Sequence, residues 1–143
     1  MIKYLFASHG RLAEGVKNSL NLIMGPQDDV EIFSAYAGDN NDVVGSLEKK
    51  LTSLSLDTDT WIVVTDIFGG SVNNYLLTEL KSKKFYLITG LSLPLALNLK
   101  TKIVSEDTDI IEHIKEAIED AKKQIIFCNE LNSPETTDSD NDF

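Results

Sequence analysis

The run Trp61-Ile62-Val63-Val64-Thr65-Asp66 constrains this chain more than any other segment. From Trp61 to Thr65 every residue is apolar or β-branched, with no alternation of polar side chains. That pattern suits a strand buried on both faces, as in a parallel sheet covered by helices. The run closes on a carboxylate. Gly69-Gly70-Ser71 follows and opens a helical segment reaching about Leu80. A buried strand that hands over to a helix through a glycine-rich turn is half of a βα repeat, and the rest of the chain supplies the other units.

Ile2–Ser8 reads as a buried strand ending in small residues. Arg11–Met24 has helical spacing, with Leu12, Val16, Leu20, Ile23 and Met24 on one side, and Gly25-Pro26 stops it. Val30–Tyr36 is another strand. The turn Gly38-Asp39-Asn40-Asn41 leads to a helix carrying Val43, Val44, Leu47, Leu51 and Leu54. Phe85–Thr89 is a fourth strand, ended by Gly90. Leu93–Lys100 is a short helix with Pro94 in its first turn. Asp109 and Glu112 pair as N-cap and third residue of a last helix, with Ile110, Ile111, Ile114, Ile118 and Ala121 inward. Gln124–Cys128 reads as a final strand. The order predicts an α/β fold: a three-layer sandwich with a mostly parallel sheet. The expected strand order is 2-1-3-4, with the first and third strands as neighbours, and Gln124–Cys128 is expected to add an antiparallel C-terminal edge strand. The domain is expected over residues 1–130. Residues 131–143 form an acidic tail whose composition predicts disorder.

Composition narrows the function. A net charge of -10 over 143 residues disfavours nucleic acid, whose phosphates would repel the chain, and is compatible with a basic protein partner. The single cysteine, Cys128, rules out an internal disulfide and a Cys-based zinc site, which fits a reducing cytoplasm. The longest apolar stretches fall far short of the roughly 20 residues of a spanning helix. The amino terminus lacks the apolar region of a signal peptide, so Met1 is expected to begin the folded domain.

In open α/β sheets, ligands bind outside the carboxyl ends of the strands. Three loops belong there: Ser8-His9-Gly10, Asp66 through Ser71, and Gly90-Leu91-Ser92. In the 2-1-3-4 order the first two face each other. A neutral imidazole is a nucleophile. At His9 it precedes a helix start whose free N–H groups favour an anion, and Gly10 lets the backbone come close. A lone histidine in such a place is more often structural, and Asp66 changes that balance. Its carboxylate can accept from one ring nitrogen, aim the other outward and stabilise the charged ring. Gly69, Gly70 and Ser71 add backbone amides and a hydroxyl suited to an oxyanion. The turn is not a P-loop, since no Gly-Lys-Ser/Thr follows, and the first strand lacks a dinucleotide fingerprint. His113 has no histidine partner at helical spacing and reads as a surface residue. Arg11 reads as a solvated residue of the first turn.

Taken together, the motifs resemble the IIA component of the mannose family of the bacterial sugar phosphotransferase system. The resemblance runs from Met1 to about Cys128. It rests on Ala7-Ser8-His9-Gly10 with Ala13 and Gly15, on Ile23 and Gly25, on Val64 through Ser71 with Asn74, and on Gly90-Leu91-Ser92-Leu93-Pro94. It implies a cytoplasmic phosphotransferase in which His9 accepts phosphoryl from the carrier HPr and passes it to an EIIB component. The membrane EIIC and EIID proteins would be served indirectly. Asp66 would support His9, and Gly10, Gly69, Gly70 and Ser71 would hold the phosphoryl group, with no metal and no cofactor. It also implies a homodimer in which a C-terminal strand, here Gln124–Cys128, is exchanged between subunits. The chain departs from the family in placing Val72 where a proline commonly follows Gly-Gly-Ser. No further domain is expected to follow, so EIIB is expected to be a separate protein. Two alternatives are a phosphocarrier subunit of a dihydroxyacetone kinase and a regulatory binding domain phosphorylated on His9. Asn74 after the Gly-Gly-Ser turn speaks for the sugar branch.

Overall fold

A computed structural model describes residues 1–38, 41–106 and 109–132. Strands β1 (Ile2–His9), β2 (Val30–Ala35), β3 (Thr60–Thr65) and β4 (Tyr86–Thr89) form one parallel sheet in the order β2-β1-β3-β4. Helices α1 (Leu12–Met24), α2 (Val43–Ser53), α3 (Ser71–Glu79), α4 (Leu93–Lys102) and α5 (Ile110–Lys122) complete it. The α/β class and the 2-1-3-4 order match the expectation from the sequence.

The period of two in β1 and β3 sorts their side chains onto opposite faces. Tyr4, Phe6, Ile62 and Val64 pack with Ala13, Val16 and Leu20 of α1, with Leu95, Ala96 and Leu99 of α4, and with Ala117 of α5. Leu5, Ala7, Trp61 and Val63 pack with Val43, Leu47 and Leu51 of α2 and with Val72 and Leu76 of α3. Because both faces are covered, Ile62 and Val63 are fully buried although adjacent in sequence. Truncating either to Ala is expected to cost about 1–4 kcal/mol. Val72, where the family commonly has proline, is fully buried in the α2–α3 layer, so an apolar contact occupies that position.

Three helices are capped by the side chain of their own N-cap residue. Asp42 Oδ1 accepts from Gly45 N, Ser92 Oγ from Leu95 N, and Asp109 Oδ1 from Glu112 N, each at 3.2 Å. Each cap satisfies an N–H that has no partner within the helix.

Several details differ from the sequence reading. Gln124–Cys128 is not a strand. Gln124 N and Ile125 N close a turn back onto Ala121 O and Lys122 O, and Cys128–Glu130 is one turn of 3-10 helix. Ile125, Ile126 and Phe127 are exposed. A strand exists only through a ladder to a neighbour, and within this chain the segment reaches none, so the antiparallel edge strand is absent among the described residues. Leu12, Val44 and Ile111 are exposed rather than inward, while Ala13 and Ala117 are buried. Both small residues lie within the core cluster, and periodicity counted on large residues alone passes over them. Asp39 and Asn40 of the expected turn, and 133–143 of the expected tail, lie outside the described residues. Among the described residues no helix is long and apolar enough to cross a membrane.

Candidate functional site

Parallel register places the carboxyl ends of β1, β2 and β3 side by side: His9 pairs with Ala35, and Ala7 with Thr65. The loops leaving β1 and β3 carry His9, Gly10, Asp66, Gly69, Gly70 and Ser71. His9 is the last residue of β1, and Asp66 follows the last residue of β3. One carboxylate oxygen joins them. Asp66 Oδ2 lies 2.8 Å from both the backbone nitrogen and the Nδ1 of His9. Asp66 Oδ1 accepts from Ile67 N at 3.0 Å, so the second oxygen is also held. The His9 side chain is 40% exposed and that of Asp66 10%. The ring is thus open to a partner while its support is shielded.

Burial is the largest single influence on the Asp66 carboxyl and acts to raise its pKa. The bonds from the His9 amide and ring, with the attraction of the His9 charge, outweigh it and hold the group below its ordinary value. An ionised Asp66 only accepts, so Nδ1 donates and the lone pair rests on Nε2.

The loop after Asp66 wraps the ring. Gly70 is extended, and a Cβ placed there would sit 3.0 Å from His9 Cε1 and 2.8 Å from Ile67 Cγ2. Gly69 has φ +84, and its carbonyl accepts from Asn74 Nδ2 at 3.1 Å. Gly70 serves as the N-cap of α3 and offers no side chain, so α3 starts uncapped. The intrahelical bonds of α3 begin with Asn74 N to Gly70 O. The N–H groups of Ser71, Val72 and Asn73 thus have no acceptor within the helix. The contrast with α2, α4 and α5 is local to this site. At α1 the situation differs: Ser8 Oγ accepts from Ala13 N at 2.8 Å and caps that helix from the strand end. Gly10 has φ +57, and its N–H is occupied by Ala35 O at 2.7 Å. Gly10 therefore shapes the loop and does not offer its own amide.

Three residues at or beneath the site had no role assigned from sequence. Tyr36 stacks on His9, with ring centroids 5.6 Å apart and planes at 23°, and its Oη is 3.2 Å from Ser71 Oγ. Ser8 is the cap just described. Asn73 is buried and accepts from Thr65 Oγ1 at 2.7 Å, tying α3 to the end of β3. Arg11 is exposed, 3.7 Å from Glu14. His113 lies on α5 beside Glu116 at 3.5 Å, outside the site. A cleft between Leu56–Trp61 and Lys84–Tyr86 opens at the amino ends of β3 and β4, the sheet edge opposite His9. Among the described residues no group of three or more His, Cys, Asp or Glu could hold a metal ion.

Comparison with known proteins covers the same stretch of chain. A family model described as the fructose IIA component of the phosphotransferase system matches residues 3–119, which span the sheet, the His9 loop and the Gly69–Ser71 turn. The chain belongs to the mannose-type IIA family of that system. This IIA chain is 31% identical over 119 residues to the sorbose-specific EIIA component of Klebsiella pneumoniae, covering 80% of this chain and 85% of that protein. A Klebsiella pneumoniae structure described as a phosphoenolpyruvate-dependent sugar phosphotransferase system permease is 37% identical. It superposes with a TM-score of 0.82 over 90% of this chain and 92% of that one. The IIA protein associated with the fucose utilization operon of Streptococcus pneumoniae is 25% identical, with a TM-score of 0.73 over 90% and 93%. Family membership makes this IIA chain a component of the sugar phosphotransferase system.

Proposed function

We propose that this IIA chain is a cytoplasmic phosphoryl carrier that accepts a phosphoryl group from phospho-HPr on His9 and passes it to an EIIB protein. The observation that carries the reading is the His9–Asp66 pair, with Nδ1 tied to Oδ2 at 2.8 Å, beside the uncapped start of α3. The Nε2 lone pair attacks phosphorus as the P–N bond to the donor's histidine breaks. The electron pair of that bond returns to the donor nitrogen. His9 keeps its Nδ1 proton, so the phosphorylated ring gains positive charge, which the Asp66 carboxylate stabilises. The Ser71 hydroxyl and the first N–H groups of α3 hold the phosphoryl oxygens, as helix N-termini hold anions generally. Transfer to EIIB reverses these steps on a new acceptor. Phosphoryl transfer asks a protein mainly for positioning and charge stabilisation, and these residues supply both. Replacing His9 with Ala is expected to abolish labelling by radiolabelled phospho-HPr while leaving the circular dichroism and melting temperature intact. Undiminished labelling of that variant would overturn the reading.

We also propose that the chain functions as a homodimer. Exposed Ile125, Ile126 and Phe127 lie beside an apolar groove lined by Gly90, Pro94, Leu95, Ile118 and Ala121. Such apolar surface is better covered by a second copy than by water. Sedimentation velocity is expected to give a dimer that Phe127→Ser weakens, and a monomeric unaltered chain would refute it.

A further inference from the structure

Tyr36 is the only non-glycine residue with positive φ, +60, among the described residues. It directly follows the last residue of β2, which pairs with His9 across the sheet. For a bulky aromatic residue the left-handed region is unfavourable. Core burial does not repay this strain, because Tyr36 is 50% exposed. The chain beside it is pinned by the bond from Gly10 N to Ala35 O at 2.7 Å. What the unusual conformation achieves is contact with two residues of the site: the ring covers one face of the His9 imidazole, and the hydroxyl meets Ser71 Oγ at 3.2 Å.

We propose that Tyr36 is a positioning residue for phosphoryl transfer at His9, holding the imidazole face and the Ser71 hydroxyl in transfer geometry at the cost of backbone strain. The inference rests on the carrier reading above and deepens it. Asp66 holds the ring edge at Nδ1, and Gly70 admits the Cε1 edge closely. Neither contact restrains rocking of the ring plane, and a stacked aromatic does. A His9 that carries phosphoryl and keeps its Nδ1 proton is cationic, and the electron-rich face of Tyr36 stabilises that charge. The hydroxyl holds the Ser71 Oγ in place until a phosphoryl oxygen replaces it as partner.

The test uses phosphoramidate, a small phosphoryl donor that needs no protein partner, with the rate of His9 phosphorylation followed by phosphorus NMR. Tyr36→Gly is expected to slow phosphorylation on the order of tenfold. The same change relieves the strain, so the melting temperature is expected to stay level or rise. Tyr36→Phe keeps the ring and is expected to recover most of the rate. The double variant Tyr36→Phe with Ser71→Ala is expected to be no slower than Ser71→Ala alone, since either change removes the same bond. A wild-type rate in Tyr36→Gly overturns the proposal. So does a parallel fall of rate and melting temperature that Tyr36→Phe does not rescue, which would mark a merely structural residue. A wild-type chain that phosphoramidate labels on His9 but phospho-HPr does not would defeat the carrier reading while leaving the Tyr36 comparison decisive. A His9 that phosphoramidate cannot label overturns the proposal outright.

Discussion

Asp66 grips His9 twice with one oxygen: Oδ2 accepts from the backbone N–H and from Nδ1, each at 2.8 Å. The first bond fixes where the end of β1 sits, and the second fixes which way its ring faces. Position and tautomer of the imidazole thus depend on a single carboxylate 57 residues away in the chain.

Asp66→Asn tests that dependence. An asparagine oxygen can still accept from Nδ1, but it carries no charge to stabilise a cationic ring, and its amide nitrogen would face the N–H of Ile67. Phosphorylation of His9 by phospho-HPr is expected to slow on the order of a hundredfold or more. A rate near wild type would show that Asp66 only anchors the strand end.

Gly70→Ala tests the closeness of the turn to the ring. The backbone there is extended and accepts any residue, so stability is expected to change by less than about 1 kcal/mol. The new Cβ would meet His9 Cε1 at 3.0 Å and Ile67 Cγ2 at 2.8 Å. Ile67 is exposed and can swing aside, whereas the ring is held by Asp66 and is displaced from its aim. His9 phosphorylation is expected to fall about tenfold with little change in urea midpoint. An unaltered rate would show that the turn yields instead.

Gly15→Ala is the complementary case. Gly15 lies inside α1, and a Cβ there meets nothing within 4 Å. The substitution is expected to stabilise the fold by about 0.5–1 kcal/mol, by helix propensity, and to leave phosphorylation unchanged. Urea unfolding and the labelling rate read the two effects separately.

Asp66 contributes to the pH dependence of stability. Its carboxyl is held below its ordinary value in the folded chain, so the unfolded state binds a proton first as pH falls. The stabilisation is fully present above the unfolded pKa of about 3.9 and disappears as pH drops through the lower folded value. The stability advantage of the wild type over Asp66→Asn is therefore expected to shrink as urea midpoints are measured from neutral pH toward about pH 3. An advantage that grew under acid would reverse the sign and refute the assignment.

The elements themselves were legible because their signals are local. The unbroken apolar run at Trp61–Thr65 required cover on both faces, and its burial shows that cover. Asp109 and Glu112 marked the start of α5 through a cap that needs only neighbouring residues. Gln124–Cys128 misled, because an apolar β-prone segment predicts a strand only if an edge is within its reach. Ala13 and Ala117 carry little hydrophobic signal because their side chains are small, although both are fully buried.

By itself the sequence determined the βα order, a mostly parallel sheet and the placing of His9, Asp66 and Gly69–Ser71 at strand ends. Periodicity, glycine placement and short crossover connections suffice for that. Only the tertiary structure decided that one oxygen of Asp66 holds both nitrogens of His9, that α3 starts uncapped beside them, and that Tyr36 leaves β2 in a left-handed turn to lie on the imidazole. These relationships join residues from three different strand ends. They exist only once backbone register has set those ends side by side, and distances along the chain carry no trace of them.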